Sequence, residues 1–233
     1  MAEFVAETER LRLRTWDFKD RAEFNRLLNT PAVMRWLGGV ADERFSNAAF
    51  DRIDTYLRDF GFTFWIVERK RDDAMLGFCG LKRANAPGAE AIAGEIEIGW
   101  RLREDAWGQG YAKEAAIASL GLAFDRFGAE RVVAVTAAGN APSQGLMTRL
   151  GMIRRASPSP ERTSARRFSR SFRSATIRSL SSLRNCAMLS GSIIDLTVYQ
   201  GCPCARHAYR AGKVAEMWRR NAMAPEGALC GRC

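Results

Sequence analysis

The stretch Trp107-Gly108-Gln109-Gly110-Tyr111-Ala112 follows a strand-like pattern over 94–102 and opens an alanine-rich helical one. A strand feeding such a turn makes an anion site. The first amides of a helix have no internal acceptor, and the helix dipole adds positive potential there. Glycine at 108 and 110 lets a bulky anion reach those amides, and Ala112 keeps the next position small. The bland alternative is a tight corner without a ligand. On the strand itself Glu95 and Glu97 stand two residues apart, hence on one face, with Ile96, Ile98 and Trp100 on the other. Two carboxylates that close should raise at least one pKa, which suits proton abstraction near neutral pH. The alternative for both is the solvated face of an edge strand. Further on, Asn140-x-x-Ser143 pairs a helix-capping residue with a hydroxyl one turn later. Cys79, inside GFCGL, reads as a buried core thiol and not as a nucleophile.

These groups need elements to hold them. Leu11 and Leu13 alternate with Arg10, Arg12 and Arg14, the period of a half-buried strand. Asp17 is placed to cap a helix with Phe18, Ala22, Leu27 and Leu28 on its apolar stripe, ending before Pro31. A second helix is predicted over 46–60, from Ser46 to a stop at Gly61. Strands follow at 62–70 and 74–83, joined by Arg71-Asp72-Asp73, and then at 94–102. A helix over 110–127, a β-branched strand over 131–137 and a helix from Asn140 to Gly151 complete a mixed α/β pattern.

In this order, RLRLRTW, GFCGL, EIGWRL, WGQGYAKEA, N-x-x-S and RLGM resemble the GNAT acetyltransferase superfamily, from about Glu9 to Met152. Within it they look like the ribosomal-protein N-terminal (RimJ/RimL-type) branch. The resemblance implies an α+β fold: a mixed, mostly antiparallel sheet with helices on both faces. It also implies an acyltransferase that moves an acetyl group from acetyl-CoA directly to a primary amine, on a protein N-terminus or a small molecule. The loop Trp107, Gly108, Gln109, Gly110, Tyr111 and Ala112 would then bind CoA, its amides from about Gly108 to Ala112 holding the pyrophosphate, with Ile98, Trp100 and Leu102 beside the pantetheine arm. Asn140 would touch the cofactor or ordered water. Glu97 is the preferred base and Glu95 the second candidate. Ser143 would act near the sulfur, because Met147 fills the slot where many members carry a tyrosine. The rival reading is a non-catalytic CoA-binding or nucleic-acid-binding protein with an incomplete acceptor site.

Composition divides the chain at Ile153. Up to that residue there are 21 Lys/Arg against 22 Asp/Glu; beyond it, 15 against 4, so the net charge of +10 belongs to the end of the chain. Residues 154–184 hold nine Arg and nine Ser with one acid, Glu161, which predicts poor order, while 191–201 has a strand-like pattern. The expected division is therefore a catalytic domain over 1–153 and an atypical tail over 154–233. The two strands that close such a sheet are not recognisable after Ile153, which predicts an open edge and suggests a shifted reading frame or a fused segment. The tail's Cys202, Cys204, His207, Cys230 and Cys233 match no zinc module, so no metal is expected. Its arginines give a weak electrostatic case for nucleic acid. No apolar run of membrane-spanning length and no signal-peptide pattern occur, so a cytoplasmic protein is expected.

Overall fold

The computed structural model describes residues 2–85, 90–155 and 196–201. Leu11 and Leu13 are fully buried while Arg12 and Arg14 stay partly exposed, the alternation of strand β2 (Leu11–Arg14), which follows β1 (Phe4–Glu7). Then come α1 (Asp20–Leu28), α2 (Pro31–Met34), α3 (Glu43–Phe60), β3 (Phe64–Arg69) and β4 (Ala74–Arg83). The order continues with β5 (Ile96–Leu102), α4 (Tyr111–Asp125), β6 (Val132–Ala137), α5 (Ala141–Arg149), β7 (Ile153–Arg155) and β8 (Leu196–Gly201).

The eight strands among the described residues join one sheet in the order β1-β2-β3-β4-β5-β6-β8-β7. Every neighbouring pair is antiparallel except β5 and β6, which run parallel. This is the mixed, mostly antiparallel α/β architecture expected from the sequence. Helices α4 and α5 cover one face, where Ala115, Ala116, Leu120, Ala123 and Met147 pack on Leu11, Trp65, Cys79 and Ile98. Alanines on α4 let its backbone approach the sheet closely. Helices α1–α3 cover the other face, with Phe24, Leu28, Val33 and Phe50 against Ile66, Met75 and Phe78. Each fully buried leucine or isoleucine contributes roughly 1.5–3 kcal/mol.

Three local expectations change. Helix α1 begins at Asp20, because the buried Asp20 carboxylate accepts the Asp17 amide at 2.8 Å and the Arg14 guanidinium at 2.7 and 3.0 Å. Phe18 therefore falls before the first turn and is 81% exposed, and Phe24 takes the inward position. Helix α3 starts three residues earlier than Ser46, capped by Asp42, whose side chain accepts from the Phe45 amide at 2.7 Å; Gly61, at φ 72°, ends it as expected. The open edge after Ile153 is replaced by strands. Strand β8 pairs with β6 from Val132↔Gly201 to Ala137↔Leu196, and β7 lies outside it. The Arg/Ser-rich stretch of 154–184, from residue 156 on, and the cysteines from Cys186 to Cys233 lie outside the described residues.

Candidate functional site

Strand β5 is followed by a short 3-10 turn, Glu104–Ala106, then by Trp107 in an extended conformation and Gly108 at φ 73°. Gly110, at φ 82°, caps α4. Both glycines sit in the left-handed region that side chains rarely adopt. A Cβ at Gly108 would meet nothing within 4 Å, so backbone angle and not crowding demands glycine there. The first helical bond of α4 runs from the Glu114 amide to the Gly110 carbonyl at 3.1 Å, so the amides from Gly108 to Ala112 have no helical acceptor. They form an open row of donors at the positive end of a 15-residue helix.

Side chains brace this turn from several directions. The Trp107 indole donates to the Leu102 carbonyl at 2.8 Å, and the Gln109 amide donates to the Asp105 carbonyl at 2.6 Å. Arg10, just ahead of β2, donates to the Gln109 carbonyl at 3.1 Å and to Glu114 at 2.7 Å, and its guanidinium lies 4.5 Å from the centre of the Tyr111 ring. Glu114 also accepts the Thr8 hydroxyl at 2.6 Å and the Arg10 amide at 2.9 Å. Burial pushes the Glu114 carboxyl upward, but these donors outweigh it and hold the carboxyl below its ordinary range. Sequence reasoning missed Thr8, Arg10 and Glu114. The partners are about a hundred positions apart, and the arginines of RLRLR carry no mark of which one reaches the turn.

Strand β5 pairs with β6 only at Ile96↔Val132 and Glu97↔Val133. Beyond Glu97 the two strands part, although β6 continues to Ala137, and the edge of β5 over Ile98–Leu102 faces the gap. Because the strands are parallel, the Gly108 turn and the start of α5 lie at the same end of the sheet. There the Asn140 side chain caps α5 by accepting the Ser143 amide at 3.3 Å. Among the described residues no hydrogen bond holds the Ser143 hydroxyl, and Met147 is buried in the core. The segment before α3 reaches the same end: the Thr30 hydroxyl donates to Glu104 at 2.6 Å, and the Trp36 ring packs on Gly139, where a Cβ would come within 2.8 Å.

The two carboxylates are partnered separately. Glu95, just before β5, pairs with Arg131, which holds its carboxyl below the ordinary range. Glu97 is 7% exposed on the α1–α3 face, and burial pushes its carboxyl upward against the opposing pull of Lys82. Desolvation, not repulsion between neighbouring acids, is thus the cause of the shift. The Lys82 ammonium lies 2.8 Å from Glu97 Oε2, an ionic contact outside hydrogen-bond direction, so Oε2 is buried without a directed donor. Cys79 is fully buried beneath Ser119, and burial pushes its thiol up to about 12, consistent with a core thiol.

The acetyltransferase (GNAT) domain family model matches residues 10–153. An uncharacterised protein of Bacillus subtilis (strain 168), YkkB, is 32% identical over 146 residues, covering 62% of this chain and 83% of that one. Among solved structures, an acetyltransferase from Agrobacterium tumefaciens str. C58 superposes with a TM-score of 0.62 at 21% identity, over 84% of this chain and 92% of that one. RimL, a ribosomal L7/L12 alpha-N-protein acetyltransferase, superposes with a TM-score of 0.59 at 14% identity, over 87% and 95%. No helix among the described residues is long and apolar enough to cross a membrane.

Proposed function

The chain belongs to the GNAT acetyltransferase family, and we propose that it transfers the acetyl group of acetyl-CoA to a primary amine with Glu97 as the base. The observation that carries this reading is the row of unpartnered amides from Gly108 to Ala112, at the end of a strand that has parted from its neighbour. That row suits a pyrophosphate, since it offers several N–H donors and no side chain blocks Gly108. The exposed edge of β5 at Ile98, Trp100 and Leu102 suits an amide-bearing arm, which could continue the strand's hydrogen bonding. Bound acetyl-CoA supplies an activated thioester. The chain's own residues then position and deprotonate. Glu97, raised toward neutrality by burial, takes the amine proton, directly or through water. The Ser143 hydroxyl serves the sulfur side, where Met147 has no proton to give, and Asn140 fixes the start of α5.

We place the chain in the RimJ/RimL-type branch, with a protein N-terminus as a candidate acceptor, on the strength of its EIGWRL and WGQGYAKEA segments. We assign catalysis to residues 1–153, with β8 as a covering strand contributed by the 154–233 segment. Calorimetric titration with acetyl-CoA, followed by thiol release over a panel of small amines and N-terminal peptides, tests the proposal. Saturable binding with amine-dependent thiol release is expected. Failure to bind acetyl-CoA refutes the cradle. Binding without amine-dependent release favours the non-catalytic reading.

A further inference from the structure

Two side-chain atoms among the described residues are buried without a hydrogen-bond partner, Glu97 Oε2 and Arg101 Nε. Both stand on β5, on the sheet face covered by α1–α3, four residues and about 13 Å of strand apart. Opposite them on β4 are Lys82 and Phe78, and midway between them two glycines face each other, Gly80 and Gly99. A Cβ on Gly99 would come within 3.0 Å of the Phe64 ring, so that ring lies over the bare middle of the strand. Phe64 stacks on Phe78 at 4.7 Å, and the Arg101 guanidinium lies 5.3 Å from the Phe78 ring and 6.0 Å from Phe24. The face therefore reads acid, aromatic floor, base.

Arg101 differs from Arg14, another arginine held against this sheet. Arg14 is ion-paired to Asp20 and Glu68 at 2.7 and 2.9 Å. Arg101 has no carboxylate partner among the described residues, only the faces of two phenyl rings. Burial alone holds its guanidinium down to about 10. Taking the Nε side of an arginine head out of water without a counterion costs stability, and two cation–π contacts offset only part of that cost.

We propose that Arg101 binds an anionic group, a carboxylate or a phosphate, carried by the same acceptor molecule whose amine is presented to Glu97. The acceptor class is thus an anion-bearing amine, with its connecting segment beside the partly buried Phe64 ring. This inference rests on the acetyl-transfer reading for the amine end and on the Arg101 surroundings for the anion end.

Matched acceptor pairs separate the two ends: 5-aminovalerate against 5-aminovaleramide for a carboxylate, and phosphoethanolamine against ethanolamine for a phosphate. For one of these pairs, kcat/KM should favour the anionic member by about 10- to 100-fold, chiefly through KM, the range of a charge-assisted hydrogen bond. Arg101→Gln should erase that preference while leaving the neutral member's rate within about threefold, and Arg101→Lys should restore part of it. No preference in the wild-type protein, or equal loss on both members in Arg101→Gln, overturns the proposal. Should no amine be acetylated, the transfer reading fails. The anion site is then tested alone by calorimetric binding of 5-acetamidovalerate to the CoA-loaded protein; equal affinity in wild type and Arg101→Gln overturns it. Arg101→Met should keep or raise Tm, because it removes an unpaired charge. A fall in Tm that disappears when one of the four acids beyond Ile153 (Glu161, Asp195, Glu216 or Glu226) is also neutralised would reveal an internal ion pair and overturn the proposal.

Discussion

Around the Gly108 turn nearly every side-chain polar group has found a partner within the protein, whereas the proposed acceptor face of β5 leaves Arg101 Nε without a hydrogen bond and Glu97 Oε2 with only its ionic contact to Lys82. The turn keeps its shape through Arg10, Thr8 and Glu114, and only its backbone amides are left to greet a ligand. The acceptor face retains an imperfectly satisfied acid and an unpaired base. Internal pairing around the turn therefore presets a geometry, while on the proposed acceptor side the missing pairs leave room for a ligand's own charges. Changes at the turn should damage binding of acetyl-CoA, and changes on the face should damage turnover or acceptor choice.

The largest effect tests the donor side. Gly110→Glu forces a side chain into φ 82° and puts a carboxylate at the row of amides. Acetyl-CoA affinity should fall by more than about 100-fold, which is more than about 2.8 kcal/mol at roughly 1.4 kcal/mol per decade. Calorimetry showing unchanged affinity would break the comparison at its strongest point. The next effect lies across the sheet. Glu97→Gln should lower kcat by about 100-fold or more, with acetyl-CoA affinity within about twofold of wild type. A base works only when deprotonated, so wild-type kcat/KM should fall as pH drops through the Glu97 pKa. Because burial raises that pKa, the acid limb should lie above the ordinary carboxylate range, and it should vanish in Glu97→Gln.

The difference between the two regions also explains what the sequence discloses. Periodicity located the strands and helices because burial imposes it locally, as in Leu11/Leu13 and in the fully buried Ala115, Ala116 and Ala123. Helix starts slipped where a side chain chose among competing caps: Asp42 began α3 early, and the Asp20–Arg14 pair delayed α1. The Gly108 turn was legible because its chemistry is backbone chemistry, written in glycine. Its braces were not, since Thr8 meets Glu114 across 106 positions. Glu97 was legible as an acid on a strand, but the cause of its perturbation was burial, which residue spacing does not disclose. Strand β8 completes the sheet after a long Arg/Ser-rich interval, so its pairing with β6 is equally non-local.

An intermediate effect is expected at Arg10. Arg10→Ala removes the bond to the Gln109 carbonyl, the Glu114 pair and the contact with Tyr111, leaving the turn in place but less fixed. Acetyl-CoA affinity should weaken by about 5- to 20-fold, less than one direct charge-assisted bond is worth because these bonds brace the turn and not the ligand, with kcat at saturation little changed. An effect on kcat alone would move Arg10 out of the donor-side bracing.

The smallest effect separates Glu95, the second candidate in the sequence, from Glu97, the preferred base. Glu95 pairs with Arg131 at a partly exposed site, with side-chain exposures of 22% and 48%, so Glu95→Gln should cost at most about 1 kcal/mol after solvent screening. Arg131 depresses the Glu95 pKa in the folded state. The pair's contribution is therefore present above the unfolded carboxylate pKa and is lost as pH falls through the folded one. Denaturant midpoints of wild type and Glu95→Gln should accordingly differ slightly at pH 7 and converge in acid. The kcat of Glu95→Gln should stay within about threefold of wild type with its acid limb intact, since a carboxyl already held ionised by an arginine is a weak base. If Glu95→Gln instead flattened the acid limb and Glu97→Gln left it standing, proton abstraction would belong to the exposed acid, and burial would not be what equips the acceptor face for chemistry.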